Sequence, residues 1–125
     1  MRWIAGLLSL LAVACAPLTQ EAPRSGPAMA EKPVPAATEE ACAAQGGDWA
    51  PVCRLQKPQC VLTFSDAGKA CTDSAQCQGR CETDFSKGQI PAGQPAAGRC
   101  SMNSTPCGCS QRVEGGVATP ALCVD

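Results

Sequence analysis

Histidine and tyrosine are absent from the 125 residues, and two Phe and two Trp make up the whole aromatic complement. Without histidine there is no Ser-His or Cys-His catalytic pair, no histidine zinc ligand and no imidazole to titrate near neutrality. Charge is sparse as well, at 17% of residues, and 10 basic against 11 acidic side chains leave a net charge of −1. That balance excludes the basic field that draws nucleic acid to a protein surface. No Cys-x-x-Cys pair occurs anywhere, which removes the usual ligand spacing of small zinc sites. What the chain does have is 11 Cys, 12 Gly and 11 Pro. Cysteine at that density in a short chain points to an exported disulfide scaffold, and the length permits one small domain.

Three zones follow one another along the chain. Residues 1–14 read as a signal peptide: Arg2 precedes the apolar run WIAGLLSLLAVA, Trp3 to Ala14. Twelve residues give about 18 Å of helix, short of the roughly 30 Å hydrocarbon core of a bilayer. Leu11-Ala12-Val13-Ala14-Cys15 resembles the lipobox of bacterial lipoproteins, with Ala12 where Leu is more usual. That resemblance implies cleavage before Cys15 and acylation of its sulfur, so that the membrane is reached through a lipid anchor. Ala16 after the cysteine, where the inner-membrane retention signal has Asp, implies the outer membrane, facing the periplasm. The competing reading is ordinary signal cleavage after Ala14 or Ala16. Parity supports the lipid reading, because removing Cys15 leaves an even ten cysteines that can pair completely.

Residues 15–40 are expected to form the lipidated N-terminus and a disordered tether. From Ala16 to Glu40 there are 5 Pro and 6 Ala, with no cysteine and no aromatic side chain. Such a segment buries too little apolar surface to offset its ordering entropy, and its 25 residues reach on the order of 75 Å.

Residues 41–125 are expected to be the folded domain, a small disulfide-rich unit of short β-strands and hairpins with one or two short helices. It holds Cys42, Cys53, Cys60, Cys71, Cys77, Cys81, Cys100, Cys107, Cys109 and Cys123 but only 13 large apolar residues. At about 2 kcal/mol each, such a core is small against the cost of ordering 85 residues, so covalent bridges must supply the difference. Thr38 followed by Glu39-Glu40 and, later, Gly46-Gly47 marks a helix of roughly two turns. DWAPVCR and QCVLTF read as strands separated by Lys57-Pro58, and Ser65 to Gly68 as a turn. Thr72-Asp73-Ser74 opens a single helical turn carrying Cys77, and Phe85 to Gly98 reads as a loop. CSQRV and VATPALC flank Glu114-Gly115-Gly116 as a hairpin, with Pro120 confining the second arm to an edge.

That hairpin suggests a partial disulfide map. Cys109 lies five residues before Glu114 and Cys123 seven after Gly116, so a bulge near Pro120 that absorbs an offset of two brings them opposite each other. Cys107 shares a strand face with Cys109 and must reach a distant partner, for which Cys53 is the choice.

Chemistry has few places to reside. Cys107-Gly108-Cys109 is the candidate thiol-disulfide exchange pair, though no cation stands near it in sequence. Asp66, Asp73, Glu82 and Asp84 read as turn and cap residues, Asn103-Ser104-Thr105 as a polar turn, and Trp49 with Phe64 as core or as a binding patch. The Phe85 to Gly98 loop would be the presenting segment of a protease-inhibitor-like module. GKACTDSAQCQGRC, Gly68 to Cys81, resembles over 14 residues the cores of knottin-like, colipase-like and Dickkopf-like modules, without the adjacent Cys-Cys pair of knottins. This resemblance implies a loop-rich disulfide fold. The wider pattern, CAAQGGDW with this segment and a closing PALCVD, is similar to small cysteine-rich exported proteins of proteobacteria. The leading expectation is a membrane-anchored binding or structural module for a protein partner, not an enzyme, using no cofactor, no metal and no nucleic acid.

Overall fold

A computed structural model describes residues 29–125. The expected signal run, Cys15 and the tether up to residue 28 lie outside them. No helix among the described residues is long and apolar enough to cross a membrane.

The chain is a succession of short elements tied by sulfur. Helix α1, Glu39–Ala44, starts where Thr38 Oγ1 accepts from Ala41 N–H and ends at Gln45, with Gly46 in the left-handed region. Strands β1, Asp48–Val52, and β2, Lys57–Val61, pair antiparallel around a four-residue turn in which Cys53 and Gln56 have positive φ. Lys57 and Pro58 therefore lie inside β2 and do not separate the two strands. Pro58 is tolerated because it faces Pro51, and opposed residues of an antiparallel ladder need no amide donor at every second pair.

Three further strands form a second sheet, in the order β3, Ala70–Cys71, then β5, Gly98–Cys100, then β4, Cys81–Glu82. Between β3 and β4 runs a single 3-10 turn, Ser74–Gln76, capped by Asp73, with Cys77 immediately after it. The remaining strands are β6, Gly108–Ser110, β7, Val113–Glu114, β8, Val117–Ala118, and β9, Leu122–Val124. β7 pairs with β8 and β6 with β9, so the expected hairpin is present. Its turn is Gly115-Gly116 alone, both at positive φ, as the tight hairpin turns that match strand twist require. The register offset is consequently one residue and not two: Gln111-Arg112 face the three residues Thr119 to Ala121.

All ten cysteines of the described residues are paired: Cys42–Cys60, Cys53–Cys107, Cys71–Cys81, Cys77–Cys100 and Cys109–Cys123. The pairings inferred from the hairpin, Cys109 with Cys123 and Cys107 with Cys53, are both found. Two small clusters form the interior. In the first, Cys42 and Cys60 pack with Leu62 and Phe64, flanked by Ala36 and Trp49. In the second, Cys71, Cys77, Cys81 and Cys100 surround Val113, with Ala96 against them. Of the 13 large apolar residues, only Val52, Leu62, Phe64 and Val113 are buried. Gly79 closes the gap between the clusters: a Cβ there would meet the Phe64 ring and Ser101 Oγ.

Residues 29–40 depart from the expected tether. Ala30 N–H donates to the Ala75 carbonyl at 2.9 Å. Lys32 Nζ donates to the carbonyls of Ser74, Cys77 and Gly79 at 2.8, 3.0 and 2.7 Å. Gln45 holds the strap further on, accepting from Ala36 N–H and donating to the Val34 carbonyl. The packed unit thus begins near Ala30 and not at residue 41. Low apolar content argued for disorder, but this segment is fixed by polar contacts. Pro33 and Pro35 also reduce the entropy lost on ordering it.

Full reduction of the five bridges is expected to unfold residues 30–125, seen as loss of amide dispersion; a reduced chain that keeps its dispersion would show that the small apolar clusters suffice. Gly79→Ala is expected to cost the oxidised protein about 1–3 kcal/mol through overpacking against Phe64, measured as a lower urea midpoint.

Candidate functional site

The cysteines proposed as an exchange pair are not bonded to each other. Cys107 reaches back to Cys53 across 54 residues, and Cys109 crosses to Cys123, its direct neighbour in the β6–β9 ladder, with Cα atoms 3.9 Å apart. The glycine between them, Gly108, has positive φ. Exposure separates these bridges from the rest: Cys109 and Cys123 are exposed and Cys53 and Cys107 half-buried, whereas the other six cysteines are buried.

The fold also sets a cation, paired with a carboxylate, in the cleft that this pair lines. Cys107 and Cys109 line an open cleft of about 380 Å³ together with Arg80, Glu82, Thr105 and Ser110. Arg80 is held there by Glu82 Oε1 at 2.7 Å and by the Thr105 carbonyl at 3.0 Å. A second and broader groove, of about 630 Å³, runs over the β3–β5–β4 sheet past Ala70, Asp84, Lys87, Arg99 and Met102. Its lining carries both signs of charge and one large exposed apolar side chain, Met102.

The carboxylates act as acceptors for turns. Asp73 accepts from Ala75 N–H at 2.7 Å and from Gly115 N–H at 2.7 Å, and these two backbone donors, Ala75 first, hold its pKa below the ordinary range. Asp84 is lowered by the Ser86 hydroxyl and then by Lys87. Asp66 accepts from Gln78 N–H at 2.7 Å, and Glu82 is occupied by Arg80. A group that must take up a proton near neutrality has the opposite shift, so the downward direction at Asp73 and Asp84 suits a structural acceptor.

The other candidates also have structural partners. Asn103 Oδ1 accepts from Thr105 N–H, and Ser104 Oγ accepts from Leu62 N–H at 2.9 Å, so the sequon is a turn bonded to the segment after β2. Phe64 is core, with Trp49 half-buried at its edge. The sulfurs of Cys71, Cys77 and Cys100 lie within 4.8 Å of one another, yet each is in a disulfide and offers no thiolate to a metal.

Sequence reasoning missed three polar groups. Gln111, fully buried, donates from Nε2 to the carbonyls of Ile90 and Thr119 at 2.5 and 2.8 Å and accepts from Ile90 N–H at 3.0 Å. Ser74 Oγ donates to Glu114 Oε1 at 2.6 Å and accepts from Cys81 N–H, joining the 3-10 turn to the hairpin. Lys32 is the third. The Thr72-Asp73-Ser74 signal marks the turn but not the bond from Ser74 to Glu114, and no spacing or motif marks Lys32 or Gln111, because each serves groups that only the fold brings close. Together with Gln111, backbone bonds from Gly93 and Ala96 to Ala118 and Gly116 flatten the Phe85 to Gly98 loop onto the hairpin.

Gln111→Leu is expected to cost about 2–3 kcal/mol, since it leaves the Ile90 N–H and two buried carbonyls without partners. Amide exchange checks it: Ile90 should lose protection, and unchanged protection would mean that the backbone bonds hold the loop unaided. In comparisons with known proteins, the chain matches no protein-family model, no curated protein and no solved structure.

Proposed function

We propose that this chain is an outer-membrane lipoprotein, anchored through acyl chains on Cys15 and facing the periplasm, whose disulfide domain is a binding or structural module for a protein partner and not an enzyme. The anchor half rests on the Leu11 to Cys15 pattern, on Ala16, and on the even number of cysteines that follow. Five disulfides suit an oxidising envelope compartment, since thiols in the cytosol are kept reduced.

The observation that carries the module half is the fixation of the surface. The longest loop is held by backbone bonds and by Gln111, the 3-10 turn after β3 is capped by Asp73, and every cysteine between residues 29 and 125 is bridged. A surface ordered in advance loses little conformational entropy on binding, which favours recognition over large induced changes. The groove over the β3–β5–β4 sheet, with Asp84, Lys87, Arg99 and Met102, has the mixed polarity of a protein contact surface.

Cys15→Ser is expected to abolish both palmitate incorporation and membrane association, because the apolar run preceding it is too short to anchor by itself. Fractionation after salt and carbonate washing measures this. A Ser variant that stays with the membranes would overturn the anchor.

A further inference from the structure

The five disulfides are not equivalent to a thiol arriving from solvent. Exchange requires a thiolate to reach a disulfide sulfur, so access decides which bridge reacts. Cys42–Cys60, Cys71–Cys81 and Cys77–Cys100 have both half-cystines buried; Cys109–Cys123 has both exposed. Opening it cuts no other covalent tie, because the other four bridges use neither Cys109 nor Cys123. The cleft adds an electrostatic asymmetry. Cys109 lines it together with Arg80, whose guanidinium is fixed by Glu82 and Thr105, whereas Cys123 stands outside that lining. A cation that outweighs the carboxylate paired with it, here Glu82 in the same lining, stabilises a thiolate, and a sulfur that leaves as a stabilised thiolate leaves faster.

We propose that Cys109–Cys123 is a thiol-exchange site whose co-reactant is a protein dithiol, with Cys123 as the attacked sulfur and Cys109 as the leaving one. The first thiolate of the partner bonds to Cys123 Sγ, the Cys109–Cys123 bond breaks, and its electron pair leaves on Cys109 Sγ. The partner's second thiolate then attacks the partner sulfur of the mixed disulfide and displaces Cys123 as a thiolate. In total the partner dithiol loses two electrons and becomes a disulfide, and Cys109 and Cys123 gain them. The two protons shed by the partner's thiols end, through water, on Cys109 and Cys123. Arg80 acts only through the charge on Cys109 and is a positioning residue. This site goes beyond the module reading above and does not depend on the lipid anchor.

The test is made on the full chain, solubilised in detergent. It is exposed to limiting dithiothreitol or to a reduced dithiol protein of the thioredoxin class, quenched with acid, alkylated and mapped by peptide mass. Cys109 and Cys123 are expected to label together, at least about tenfold faster than the six buried cysteines. Arg80→Gln should slow that labelling several-fold while Arg80→Lys restores it, and neither should change the order in which the other bridges open. With a dithiol protein lacking its second cysteine, the trapped mixed disulfide should lie on Cys123. Earlier opening of Cys53–Cys107, simultaneous opening of all five bridges, or an adduct on Cys109 would overturn the assignment. An Arg80→Gln rate equal to that of the unaltered chain would remove Arg80 from it.

Discussion

Sulfur takes the place of hydrocarbon at the centre of this molecule. Cys71–Cys81 and Cys77–Cys100 interleave along the sequence, so the two bridges force the 3-10 turn and strands β3, β4 and β5 into one small volume around Val113. Cys42–Cys60 does the same for α1 and β2 against Leu62 and Phe64. Strands of two or three residues have too few ladder bonds and too little buried area to persist alone. They exist here because their ends are tied, and they fail together if the ties are cut.

Polar groups complete what the bridges begin. Asp73 joins the 3-10 turn to the tip of the β7–β8 hairpin through Ala75 and Gly115, and Ser74 with Glu114 makes a second connection beside it. The hairpin in turn carries the Phe85 to Gly98 loop, through Gln111 and the backbone of Gly116 and Ala118. Order thus spreads outward from the sulfur clusters by hydrogen bonds to backbone. Buried donors and acceptors must be paired somewhere, and this chain has little else to bury.

What could be read in the sequence was whatever follows from local chemistry. Thr38 and Gly46 bound α1, and Glu114-Gly115-Gly116 marks a hairpin whose arms predict Cys109–Cys123, while Cys53 as the distant partner of Cys107 was chosen without a local signal. Register was less legible, because counting the turn as three residues doubled the true offset. Lys57-Pro58 was misplaced because the compensating partner, Pro51, becomes apparent only once the strands are paired. Lys32 and Gln111 were invisible for a related reason: both serve carbonyls from distant segments, and no periodicity records such a need. Arg80 belongs to the same class, since the fold alone sets it beside Cys107 and Cys109 in one cleft.

The strap that ends at Lys32 also fixes how long a leash the domain has. Were the chain free up to residue 40, the 25 residues after Cys15 could separate domain from anchor by on the order of 75 Å. Among the described residues, the first backbone group bonded into the domain is Ala30, 15 residues beyond Cys15. At the same rise per residue the reach falls to about 45 Å. Acylation of Cys15, as proposed, would hold the clasped strap within that distance of the lipid headgroups.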